Sequence, residues 1–138
     1  MFKKVVWPGV LVGVIMLAVG MAMNYFMNFV FPSLQVEYET SGVFRPWDDP
    51  LMSLYFLYPI AIGLVLAWVW DKTKALFKGS DSKRAINFAL AYWILTSIPS
   101  VIINYSSFPI SFLMIFSWLI IGLIYGLIAG FIFVKLNK

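Results

Sequence analysis

The side chains able to do chemistry in this chain fall into two sets. Glu37, Glu39, Asp48 and Asp49 share one short acidic segment, while Asn24, Asn28, Tyr55, Tyr58, Trp93, Thr96, Ser100 and Asn104 are uncharged hydrogen-bonding groups set in otherwise apolar runs. Histidine and cysteine are both missing from the 138 residues. Imidazole or thiolate metal sites, bis-histidine haem, disulfide exchange and every Ser-His or Cys-His nucleophile pair therefore lack a required part. The four carboxylates are hard oxygen donors of the kind that suit Ca²⁺ or Mg²⁺, but their spacing matches no ion-binding loop. Nothing around them marks a general base. The expectation is a protein that is not an enzyme and carries neither metal nor cofactor. The uncharged set is different, because amide, hydroxyl and indole groups orient a ligand without reacting with it.

The elements that must position these groups are membrane helices. The chain is 62% hydrophobic and only 12% charged, half the charged share of an ordinary soluble domain, about 25%. Crossing about 30 Å of hydrocarbon as a helix takes about 20 residues, since lipid offers no partner to an unpaired peptide group. Residues 5–31, 51–70, 85–105 and 110–134 each supply such a run without Asp, Glu, Lys or Arg. They predict an all-α integral membrane protein, a four-transmembrane-helix bundle forming a single domain over 1–138, with an outer segment at 32–50 and an inner basic loop at 71–84. A cleaved signal peptide is the rival reading of the start, because Lys3 and Lys4 precede an apolar run and Gly20-Met21-Ala22 resembles a cleavage site. The run continues to Phe31, which favours a retained span.

Charge sets the direction. Lys3 and Lys4, then Lys72, Lys74, Lys78, Lys83 and Arg84, then Lys135 and Lys138 all fall on one side of the four spans, and only Arg45 falls on the other. By the positive-inside rule both termini are cytoplasmic, in a plasma or inner membrane. The net charge of +4 is thus a topology signal and gives no reason to expect nucleic acid. Trp7, Trp68 and Trp70 mark the inner interface, and Tyr38, Trp47, Tyr105 and Phe108 the outer one. Trp93 and Trp118 fall near mid-depth, where an indole N–H needs a protein partner.

With the spans oriented, polar groups collect in the outer halves: Asn24 and Asn28 in span one, Tyr55 and Tyr58 in span two, Thr96, Ser100 and Asn104 in span three. Pro59 and Pro99 add to the asymmetry by leaving the carbonyls of Tyr55 and Leu95 without a helical donor. The pattern predicts a bundle sealed on the inside and opened into a polar cavity toward the outside; the alternative is that these groups only bond across or along the helices. The 32–50 segment would cover the opening, with Asp49-Pro50 starting span two and Arg45 pairing with Asp48, Glu37 or Glu39. On the inner side, Asp81 or Ser82 is placed to cap span three.

Small residues predict where helices touch. Gly122, Gly126 and Gly130 form a GxxxG repeat in span four, and Gly9, Gly13 and Gly20 point within about 40° of each other on span one. Such stripes serve packing within one bundle or a seam of a homo-oligomer. Small four-helix multidrug exporters need an intramembrane carboxylate, which this chain lacks. The expected function is binding or transport of an amphipathic ligand, lipid-like or quinone-like, with membrane lipid as the first partner. The alternative is a non-catalytic structural or accessory subunit of a larger membrane complex or homo-oligomer.

Overall fold

The computed structural model of the chain describes residues 2–137; Met1 and Lys138, the last of the basic residues counted above, lie outside the described residues. A π-helical turn at Phe2–Val6 runs into α1 (Trp7–Val30), followed by α2 (Pro32–Thr40), a 3-10 turn at Pro50–Ser53, α3 (Leu54–Thr73), a second 3-10 turn at Lys74–Leu76, α4 (Asp81–Ser107) and α5 (Phe112–Leu136). No strand forms among the described residues. α1, α3, α4 and α5 belong to four helical stretches long and apolar enough to cross a membrane, and each begins and ends within about four residues of its predicted span.

Local chemistry fixes the ends. Phe31 precedes Pro32 and is driven out of the helical region to φ −128°, ψ 78°, because the proline ring clashes with a helical neighbour; this breaks α1 from α2. Asp49 accepts from the Leu51 amide at 2.8 Å and opens the turn into α3 as expected. The cap of α4 is Ser80, whose hydroxyl accepts from the Lys83 amide at 3.3 Å. Asp81 and Ser82 are thus the first residues of the helix, one and two positions past the cap. Gly79 supplies the positive φ of 109° that lets the chain turn there.

Packing follows the glycines. α1 lies against α3, α4 against α5, and the two pairs meet mainly where α1 touches α5. A Cβ on Gly13 would sit 2.6 Å from the Ile60 Cα, and one on Gly9 2.8 Å from the Leu64 Cα. Their counterpart is Gly63, where a Cβ would run into the Gly9 carbonyl and come within 2.7 Å of the Gly13 nitrogen. Gly122, Gly126 and Gly130 face Ser97, Ala89 and Ala85 of α4 in the same manner. Gly20 departs from the expected stripe: it faces the Tyr125 hydroxyl on α5, not α3. Each of the six glycines therefore has a neighbour from another helix of the same chain within contact of an added Cβ.

The core sits at the end of the bundle that carries the basic loop. Val12, Met16, Trp70, Ala85, Phe133 and Val134 are fully buried there, and the rings of Trp70, Phe88 and Phe133 meet edge to face at 5.2 and 6.2 Å. Trp70 is thus no interfacial anchor. Its indole N–H donates to the Asn137 carbonyl at 2.8 Å. The Asn137 side chain donates to the Lys4 carbonyl at 3.0 Å and Asp71 at 3.1 Å, and accepts from Lys74 at 2.6 Å. One amide so ties the beginning of the chain and the ends of α3 and α5 into a closed basic end.

Candidate functional site

Toward the opposite, acidic end the helix pairs part, and a cavity of about 890 Å³ lies between them. Asn24 and Asn28 of α1, Tyr55 and Tyr58 of α3, and Thr96 and Ser100 of α4 all line it. These residues come from three separate helices. Tyr125, Pro59 and Gly122 close the cavity toward the packed core. Its volume falls in the upper part of the range for small-molecule sites, about 300–1,000 Å³.

Two residues expected in the wall are elsewhere. Trp93 donates its indole N–H to the Leu119 carbonyl at 2.8 Å; it joins α4 to α5 beside Gly122 and does not line the cavity. Asn104 lies one turn beyond Ser100, and its amide donates back to the Ser100 carbonyl at 2.7 Å and hydroxyl at 3.0 Å. An i,i+4 side-chain bond along the helix thus satisfies an amide that sequence reasoning sent across the bundle. Pro99 also lies outside the wall: it is exposed, as is Leu95, whose freed carbonyl belongs to the outer face of α4. Pro59 does line the cavity.

Within the wall, local bonds leave capacity for a ligand. Asn28 donates to the Asn24 side-chain oxygen at 2.9 Å, which uses one donor of Asn28 and leaves the Asn24 amide donors without a protein acceptor among the described residues. The Thr96 hydroxyl donates to the Tyr92 carbonyl at 2.8 Å. The hydroxyls of Tyr55, Tyr58 and Tyr125 bond to no protein group among the described residues. Tyr92, Ser97, Trp118 and Tyr125 also line the wall, and Tyr92 and Tyr125 are absent from the residues the sequence points to. The signal that drew attention to Trp93, a polar handle on a large ring at mid-depth, applies equally to them.

Over the acidic mouth lies α2. Leu34 is buried in a small cluster with Ile110, Met114 and Ile115, and Glu37 reaches the start of α5, where it accepts from the Ser111 amide at 2.5 Å and hydroxyl at 2.6 Å. A carboxylate at that position meets orphan amides and the positive end of the helix dipole. Tyr38 stacks on Phe44 at 4.4 Å, and Phe44 meets Trp118 edge-on at 6.2 Å. Burial, and then the nearby Tyr55, push the Tyr38 hydroxyl up from its ordinary pKa of 10.0, so it remains a neutral donor. Trp47 meets Tyr55 edge-on at 5.4 Å. Arg45 pairs with Asp49 at 2.7 Å and not with Asp48, Glu37 or Glu39: the turn in which the Asp49 amide donates to the Pro46 carbonyl brings Asp49 back to it, while Glu37 is taken by Ser111.

The described residues contain no group of three or more Asp, Glu, His or Cys side chains able to hold a metal ion. The chain matched no protein-family model, no curated protein and no solved structure.

Proposed function

We propose that the protein is a multi-pass protein of the plasma or inner membrane, with both termini cytoplasmic, that binds or moves an amphipathic ligand through its acidic-half cavity. The observation that carries this reading is the cavity of about 890 Å³ lined by uncharged polar side chains from all four membrane-length helices and covered by α2. A packed structural subunit has no need to hold its helices apart, since association in lipid rests on close contact. An opening lined with unused hydroxyl and amide groups calls for an occupant that answers them. Orientation rests on the charge: the basic residues gather at the end holding both termini, and Glu37, Glu39, Asp48 and Asp49 at the other.

The test is photo-crosslinking in vesicles containing a lipid with a diazirine on its acyl chain. Adducts on peptides holding Tyr58, Thr96 or Tyr125 are expected. Adducts confined to outward positions such as Phe29 and Leu95, which are 85% and 76% exposed, would overturn the reading in favour of an accessory subunit that meets lipid only as solvent.

A further inference from the structure

α3 and α4 touch at the basic end, where the Trp70 and Phe88 rings meet at 5.2 Å, and do not pack along the rest of their length. Both nevertheless line the cavity, α3 through Tyr55 and Tyr58, α4 through Thr96 and Ser100. The wide spacing of these two helices beside the cavity offers a route toward the hydrocarbon in addition to the mouth beneath α2. The cavity lining also has a charge character: no Lys or Arg contributes to it, and the one carboxylate is Glu39 of α2, which accepts from Gln35 at 3.0 Å. Arg45, the one basic residue at that end, is held by Asp49.

An anionic headgroup moved into this space would lose its hydration without meeting a counter-charge, which is costly. A neutral headgroup rich in hydroxyl and ester oxygens instead meets the Asn24 amide donors and the Tyr55, Tyr58 and Tyr125 hydroxyls, each able to donate to oxygen. The volume bounds the rest. About 890 Å³ holds a headgroup and the beginning of its chains, not a whole two-chain lipid, so the chains need the route toward the hydrocarbon. Resting on the ligand-binding reading above, we propose that the cavity takes the uncharged, hydroxyl-rich headgroup of a membrane lipid, whose chains leave between α3 and α4 into the bilayer.

The test measures thermal unfolding of the full chain in mild detergent with monoglucosyl-dioleoylglycerol, dioleoylglycerol, dioleoylphosphatidylglycerol or a dioleoyl trimethylammonium lipid added separately. A saturating specific ligand raises the midpoint by about 5 °C. The glucolipid is expected to do so, the anionic and cationic lipids to leave the midpoint unchanged, and Thr96→Trp, which sets an indole into the wall where the headgroup would lie, to abolish the rise. Ser100→Lys supplies the missing cation and is expected to transfer the response to phosphatidylglycerol, a gain that a damaged fold does not produce. A charged lipid stabilising the wild type and losing that effect in Thr96→Trp would overturn the neutral class and leave the cavity as a ligand site. Equal responses to all lipids in wild type and both variants would overturn the ligand site itself, and the class with it.

Discussion

Gly63 and Gly20 lie against neighbours of opposite kinds, and that difference decides what a methyl group does at each. At Gly63 the added carbon meets backbone, the Gly9 carbonyl and the Gly13 nitrogen, whereas at Gly20 it meets the far end of the Tyr125 side chain beside an open cavity. Backbone of two packed helices cannot yield locally, so Gly63→Ala is expected to destabilise by about 1–3 kcal/mol. Gly20→Ala is expected to be neutral or to gain up to about 1 kcal/mol from helix propensity as Tyr125 swings into the void. Unfolding of both variants in mixed micelles checks this, and equal losses would mean that Tyr125 is fixed. Asn137 supplies a second residue-scale prediction. It is buried and serves Lys4, Asp71 and Lys74 together, so Asn137→Ala should cost about 1–3 kcal/mol in the same assay. The spacing of Gly9 and Gly13 made their contact role legible. Gly63 was not legible, because it is a lone glycine whose meaning comes only from the helix it meets, and Asn137 was not, because its partners lie far away in the chain.

At the scale of elements, the four long helices follow from charge-free length and appear within a few residues of where the sequence put them. The sequence predicts a cover over 32–50 without assigning a helix to it; the segment contains α2, started by Pro32 and held where Glu37 accepts from Ser111, 74 positions away. Local spacing names carboxylates and serines; it does not say which distant pair will meet. Removing the carboxylate in Glu37→Ala should cost a charge-assisted bond of about 1.5–3 kcal/mol, or tenfold or more in amide exchange over 32–40, while α5 stays protected. Unchanged exchange would mean that Leu34 and the stacked rings hold the cover without it. The start of α3 has a pH signature. The Leu51 amide, and then Arg45, hold the Asp49 carboxyl below its ordinary value of 3.8. A group whose folded pKa is depressed contributes fully above its unfolded value and loses that contribution as pH falls through the folded one. Amide exchange at Leu51, corrected for its intrinsic pH dependence, should thus hold steady from pH 7 to about pH 4.5 and rise only below the ordinary carboxylate range.

For the whole molecule, the basic end is closed by packed rings and one buried amide, and the acidic end is held open over polar walls. That asymmetry was legible in the placement of Asn24, Asn28, Tyr55, Tyr58, Thr96 and Ser100, all of which line the cavity. Trp93 and Asn104 were misplaced because a helix carbonyl across the bundle, or one turn back, answers a polar group as well as a ligand does. The proposed orientation has its own check in a chain without cysteine: in intact cells an impermeant maleimide should label Ser41→Cys and spare Ser80→Cys, and the reverse would invert the topology. The most direct measurement of the central proposal, that the cavity holds an amphiphile, is native mass spectrometry of the full chain released from mild detergent, beside Thr96→Trp. The wild type should carry one bound amphiphile that survives activation energies stripping the detergent, and Thr96→Trp, with an indole in the headgroup's place, should fly without it. A bare wild-type chain, or an adduct retained equally by both proteins, would contradict it.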